Sequence, residues 1–259
     1  MTTKPHRLVL AERSGAILTL TLNRPEKANA FHPDLVEQLS ALVTEARDDA
    51  SLAVIVVTGA GRSFCAGLDL DLLATWGACE KLEYLATAMA LFRNIWEAPQ
   101  PVIAAVNGPA VAGGFDLAAF CDIRLASRDA VFSQAEINLG LVQIVHPLYK
   151  TIGLARAKEL ALTGRSVSAE EAHQIGLVNH VYPPEELMPR AMELGRVLAA
   201  KPRYALFETK RLTRELIDLD TAHALEEVEA TFCRCLNTDD HHERLAPYLA
   251  ALHERSRER

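Results

Sequence analysis

Apolar positions along the first two-thirds of the chain switch repeatedly between two patterns. Leu8–Glu12 and Gly15–Leu22 read as strands around a turn at Arg13–Ser14. Leu35, Val36, Leu39, Leu42, Val43 and Ala46 recur at helical spacing, which predicts a helix over Pro33–Arg47. Ala53–Thr58 and Pro101–Val106 are unbroken apolar runs and predict strands buried on both faces. A long helix is expected over Leu82–Ala98, stopped before Pro99, and short strands over Asp122–Ala126 and Ala130–Phe132. From about Ala155 the pattern becomes helical: Ala155–Leu162, Ala169–Ile175, Glu185–Ala200, Arg203–Ile217 and Thr221–Leu236. Interleaved strands and helices followed by a helical tail predict an α/β core with a C-terminal helical region. The junction is marked only by Ala199-Ala200-Lys201-Pro202.

Of the 259 residues, 49% are hydrophobic, enough for one large core with an appendage. The formal charge of −7 and the lack of a basic block argue against nucleic acid or an anionic membrane as main partner. No run approaches the roughly 18 apolar residues of a membrane span. Met1–His6 is short and polar without an apolar h-region, so no signal peptide is expected. Five irregularly spaced cysteines suit free thiols in a reducing compartment, and a cytoplasmic location is expected. Cys233 and Cys235 lie two apart in a helical segment and so point to different faces, which argues against a metal site.

Two segments share one design: a buried strand, a glycine turn, then a helix. The first runs from Val54–Thr58 through Gly59, Gly61 and Gly67 to Leu70; the second from Pro101–Val106 through Gly108, Gly113 and Gly114 to Asp116. A helix N-terminus leaves N–H groups unpaired and carries partial positive charge. Glycine removes the Cβ that blocks close approach. Two such turns converging on one point form an oxyanion hole. Ordinary strand-to-helix turns are the bland alternative. Neither turn matches a Walker A loop or the G-x-G-x-x-G dinucleotide pattern.

Leu22-Asn23-Arg24-Pro25-Glu26-Lys27-Ala28-Asn29-Ala30, Phe64-Cys65-Ala66-Gly67-Leu68-Asp69-Leu70, and Pro101–Gly108 through Gly113-Gly114 to Cys121-Asp122 occur in that order. Phe132-Ser133-Gln134-Ala135-Glu136, Leu139-Gly140, Leu162-Thr163-Gly164-Arg165 and Gly176-Leu177-Val178-Asn179 follow. Over roughly residues 8 to 215 this set resembles the crotonase family of enoyl-CoA hydratases and isomerases. The resemblance implies a spiral of β-β-α repeats, residues 1–197, carrying the CoA-thioester site. It further implies a C-terminal helical trimerisation region, residues 198–259, and a homotrimer or homohexamer. The implied substrate is an acyl-CoA thioester of fatty acid metabolism, with no cofactor beyond the CoA that arrives with it. By resemblance, the N–H groups of Leu68 and Gly113 form the oxyanion hole, and Ala66, Gly67, Leu68 and Asp69 line the CoA arm.

The hydratases of this family place two glutamates about the double bond; the matching positions are Asp116 and Glu136. Adding water needs a base to polarise it and an acid to protonate Cα, and a partly buried carboxylate serves when its pKa is raised. The isomerases often keep one carboxylate, at the position of Glu136. The dienoyl-CoA isomerases pair Asp with Glu but use a further Asp where this chain has Ile144. Leu141-Val142-Gln143-Ile144-Val145-His146-Pro147 departs from the glycine-rich turn of the hydratases, which predicts a reshaped acyl pocket. Hydration is the first reading; isomerisation, other enolate chemistry and a non-catalytic acyl-CoA binder remain alternatives.

Other residues draw attention without carrying a role. His146 is either a pocket residue or a packed turn residue, and the second reading is preferred. His241-His242 beside Asp239, Asp240 and Glu243 reads as a solvated cluster. Lys201, Arg203, Lys210, Arg211 and Arg214 form a basic face that is either solvated or within reach of a CoA phosphate. Trp76 and Trp96 are expected to pack.

Overall fold

The computed structural model describes residues 7–257, and Met1–His6 lies outside them. The chain divides into two compact units between Arg196 and Val197. In the first unit β1 (Val9–Ser14) and β2 (Ile17–Leu22) form a hairpin in which Ser14 opposes Ile17. The turn is therefore Gly15-Ala16 and not Arg13–Ser14; Gly15 takes the left-handed conformation the tight turn needs, at φ +60°. α1 (Pro33–Asp48) and β3 (Val54–Gly59) follow as the pattern predicted, then α2 (Leu70–Thr75) and α3 (Ala78–Glu97).

The next elements spiral between two sheets. β4 (Val102–Val106) joins the larger sheet, β5 (Ala110–Val111) the smaller one, and α4 (Gly113–Phe120) closes the turn. β6 (Ile123–Ser127) and β7 (Val131–Ser133) repeat the step, followed by α5 (Leu148–Ile152) and α6 (Leu154–Thr163). β8 (Ser166–Ser168), α7 (Ala169–Gln174), β9 (His180–Tyr182) and α8 (Pro184–Ala199) complete the series. Among the described residues the larger sheet has the order β1-β2-β3-β4-β6-β9 and the smaller one β5-β7-β8. All neighbours in the larger sheet are parallel except β1 and β2. Val54–Val57 and Val102–Val106 are wholly buried, as central parallel strands covered on both faces must be. The α/β spiral with a helical C-terminal region thus stands.

The expectation that strands end near Ala155 is corrected by β8 and β9. Each is three residues long, too short for a period of two to show. β9 pairs with β6 and extends the main sheet, a contact made entirely by tertiary structure.

The second unit holds α9 (Arg203–Glu215), α10 (Thr221–Leu236) and α11 (Asp239–Arg257). The sequence pattern predicts helices only as far as α10. The polar composition of α11 and its internal Pro247 hid its period. Leu225, Val228, Phe232 and Leu236 make one exposed apolar stripe along α10. Among the described residues no helix is long and apolar enough to cross a membrane.

Candidate active site

The two glycine turns meet. Cys65 bridges Ala110, with the Val111 N–H donating to Cys65 O at 2.9 Å. The Phe31 N–H donates to Gly67 O at 2.7 Å, and Phe31 and Leu68 form a parallel bridge. Gly67 has φ +79°, and a Cβ built on it would lie 2.6 Å from Gly113 N and 2.8 Å from Ala112 Cβ. Only glycine allows both the conformation and the approach. A Cβ on Gly114 would fall 2.0 Å from Cys65 O, so this second contact also requires a bare backbone. Ala112 caps α4 at φ 53°, ψ −126°, a region costly for a residue with a side chain.

The Gly113 N–H is the first of α4, where the helix dipole is most positive. The Leu68 N–H lies in the extended bridge, ahead of Asp69, which caps α2. The expectation of two helix termini is corrected on this point: the extended bridge presents the Leu68 N–H, and α4 alone supplies a dipole. Among the described residues neither N–H donates to a protein acceptor.

Two asparagines hold the first turn, and their part was not visible in the sequence. Asn29 Nδ2 donates to Ala60 O at 2.9 Å and to Ser63 O at 2.8 Å, while its Oδ1 accepts from the Arg24 N–H. Asn107 accepts from the Gly59 N–H at 3.1 Å and donates to Gly61 O at 3.1 Å. The only signal available was their place beside turn residues in the motifs.

Leu68 and Gly113 line a cavity of about 260 Å³ together with Asp116 and Glu136. Asp116, on the first turn of α4, is 2% exposed; Glu136, on a short 3-10 turn over Ala135–Leu139, is 8% exposed. Burial pushes the Asp116 carboxyl well above the ordinary 3.8, and the nearby Glu136 charge pushes it further, against the Gln134 hydrogen bond. Burial also raises Glu136, offset by its own backbone N–H and by Gln143. Gln134 Nε2 lies 3.4 Å from Asp116 Oδ1 and donates to Ile144 O at 3.0 Å. Gln143 Nε2 donates to Gln134 O at 2.9 Å, tying the altered segment to the carboxylate strand end. Glu136 Oε2 is buried with no hydrogen-bond partner among the described residues. A buried carboxylate oxygen with no partner, on a residue that lines a cavity, is a candidate to take up a ligand proton.

A second, smaller cavity of about 90 Å³ shares Leu68, Glu136 and Leu141 with the first and adds Ala66, Val111 and Ala112. The two cavities thus adjoin at Leu68, Glu136 and Leu141. Asp69 follows Leu68 in the chain, and its carboxylate is committed to other partners. It accepts from Arg24 at 2.5 Å and caps α2 through the Asp71 and Leu72 N–H groups. The Asp69 side chain thus forms an ion pair that ties the Arg24 motif to the start of α2.

His146 does not line the cavity. Its ring packs at 5.8 Å from Trp96, 5.9 Å from Tyr149 and 6.4 Å from Phe120, in keeping with the packed-turn reading. Trp76 packs edge-on to Tyr84 at 5.2 Å and Trp96 to Phe120 at 6.0 Å. Within the basic face, Arg211 pairs with Glu208, Glu215 and Glu227, Arg214 pairs with Glu215, and Lys210 is buried. Among the described residues no group of His, Cys, Asp or Glu gathers to hold a metal ion.

Known proteins share this sequence and fold. The sequence model described as enoyl-CoA hydratase/isomerase matches residues 12–254. A short-chain-enoyl-CoA hydratase of Clostridium acetobutylicum is 33% identical over 247 residues, 93% of this chain and 94% of its own. A crotonyl-CoA hydratase of Syntrophomonas wolfei is 34% identical over 245 residues, with 93% and 94% covered. The crystal structure of an enoyl-CoA hydratase from Bacillus anthracis superimposes with a TM-score of 0.92 at 30% identity, covering 95% of this chain and 97% of that one.

Proposed function

The chain belongs to the enoyl-CoA hydratase/isomerase family, and from that premise we propose that it adds water to a 2-enoyl-CoA thioester. The observation that carries this reading is the pair of buried carboxylates, Asp116 and Glu136, on one cavity with the free N–H groups of Leu68 and Gly113. The names of the two relatives, one a short-chain-enoyl-CoA and the other a crotonyl-CoA hydratase, support it.

The thioester oxygen sits between the Leu68 and Gly113 N–H groups. Glu136, the less strongly raised carboxylate, takes a proton from water as the water oxygen bonds to Cβ. The π electrons move through Cα onto the thioester oxygen, whose growing charge the two N–H groups and the α4 dipole stabilise. Asp116, whose carboxyl is biased towards the protonated form by burial beside Glu136, delivers a proton to Cα. The proton taken by Glu136 returns to Asp116, and water has been added across the double bond. No oxidation state changes overall, so the reaction calls for no redox cofactor, and CoA enters as part of the substrate. Two cavity carboxylates favour this reading over the one-carboxylate isomerisation.

A homotrimer or homohexamer is proposed with it, supported by the exposed stripe Leu225, Val228, Phe232, Leu236 on α10. Dissociation of a Phe232→Glu variant in sedimentation velocity is the expected outcome. A cytoplasmic place in fatty acid metabolism is the matching proposal, supported by five free cysteines.

The test is loss of the conjugated thioester absorbance when purified protein meets crotonyl-CoA and its C6 to C16 homologues. Hydration at a rate removed by Glu136→Gln is expected. No hydration of any chain length overturns the reading, and thioester binding alone then favours a non-catalytic binder.

A further inference from the structure

The chamber beyond the two carboxylates has a shape and lining that select among acyl groups. One face of α3 supplies Leu85, Ala88, Met89 and Phe92, at spacings of a single helical stripe. The segment after Gly140 supplies Leu141, Val142 and Ile144 from the opposite side. Apart from Asp116 and Glu136 at the catalytic end, no side chain lining the chamber forms hydrogen bonds.

The floor is rigid. Phe92 is 2% exposed and stacks on Phe120 at 5.2 Å with ring planes 5° apart, with the tilted Phe31 ring at 6.2 Å. The mouth is open: Leu85 and Leu141 are half-exposed and Val142 is 91% exposed. Met89 lines the wall between floor and mouth, and its unbranched thioether adapts to chains of different length. Ile144 is held in place by its own carbonyl, which accepts from Gln134.

At about 30 Å³ per heavy atom, the share of one water in the liquid, a chamber of about 260 Å³ holds eight to nine heavy atoms. A four-carbon acyl group, five heavy atoms with its carbonyl oxygen, fills about two-thirds of it together with the attacking water. We infer that the preferred acyl groups are unfunctionalised hydrocarbon chains of about six to eight carbons, seated against Phe92, Met89 and Ile144, ahead of four-carbon and acidic ones. This deepens the proposed hydration without requiring it, because it concerns binding of the acyl arm. Each methylene taken from water into the chamber contributes about 0.8 kcal/mol, a tightening of about fourfold. Chains beyond about eight carbons emerge between Leu85 and Val142 into water, so the gain levels off there. A carboxylate on a short chain faces Asp116 and Glu136 among apolar walls, with no cation to pair it.

The test is calorimetric titration of the full-length protein with saturated butyryl-, hexanoyl-, octanoyl- and decanoyl-CoA, and with succinyl-CoA. These probes report binding whether or not the protein hydrates anything. Kd should fall about fourfold per added methylene from C4 to C8 and change less than twofold from C8 to C10. Succinyl-CoA should bind at least tenfold more weakly than butyryl-CoA. The Ala88→Phe variant, which fills the wall, should collapse the ratio of octanoyl to butyryl affinity. Equal affinity from C4 to C8, or succinyl-CoA binding as well as butyryl-CoA, overturns the inference. A length-dependent Kd with no hydration of any enoyl thioester leaves the inference standing and sinks the proposed reaction instead.

Discussion

Gly67→Ala is the sharpest single perturbation of this site. The added methyl meets Gly113 N at 2.6 Å, Ala112 Cβ at 2.8 Å and Val111 O at 2.8 Å, all parts of the second turn. Two of the three atoms are backbone, so no side-chain rotation relieves the contact. The residue must also hold φ +79°, which costs an L-residue about 1–2 kcal/mol. Together the strain and the contact amount to about 1–3 kcal/mol of stability. For a chain of this size that is a Tm loss of about 2–4 °C per kcal/mol. The larger effect is on rate. The turns separate by several tenths of an ångström or more, and the Leu68 and Gly113 N–H groups no longer share one oxygen. Loss of one such donor costs about 10²–10³ in kcat. Gly113→Ala is the milder comparison: its Cβ would lie 3.1 Å from the edge of the Phe31 ring and 3.5 Å from Gly67 Cα, the latter an ordinary contact distance, and its φ is not left-handed. It should lose far less in both measures. Steady-state hydration of crotonyl-CoA and thermal melts on the two variants give the comparison. If Gly67→Ala keeps wild-type kcat, or loses no more than Gly113→Ala, the contact between turns does not build the oxyanion hole.

Other outcomes follow from the same geometry. Asp116→Asn and Glu136→Gln should each lower kcat by about 10²–10⁴ with KM within a few-fold, because both act on protons in the transition state; an unchanged kcat removes that residue from the mechanism. Asp116 also links to stability. Its folded pKa lies above the ordinary 3.8, so the native state holds its proton more tightly than the unfolded chain. Stability is therefore lost as pH rises from about 3.8 through the folded pKa, and is level beyond it. Asp116→Asn removes that loss, so its chemical-denaturation midpoint should exceed wild type at neutral pH, with the gap closing on acidification; a gap that widens towards low pH refutes the burial argument. Ala112→Gly should raise Tm by about 2–4 °C, since it relieves about 1 kcal/mol of strain at φ 53°; no rise shows that the backbone there is unstrained.

Much of the fold was legible because its signals are local. Val54–Thr58 and Pro101–Val106 announce buried strands by composition alone, and Pro33–Arg47 carries its helix in its spacing. The glycines at positions 67, 113 and 114 marked where backbone comes close to something, and the two carboxylates stood out by their match to a family pattern. The sequence by itself therefore determined the α/β alternation, the turns and the identity of the site residues to examine. Tertiary structure decided what those residues meet. It turned Asp69 towards Arg24, packed His146 among aromatic rings, tied Arg211 to three glutamates and enrolled Ser166–Ser168 and His180–Tyr182 as strands. It alone set Gly67 against Gly113 and put Asp116 and Glu136 on one largely apolar chamber. The reason is one of range: periodicity and propensity are properties of neighbours in the chain, whereas pairing, desolvation and pKa depend on residues that only the fold brings together.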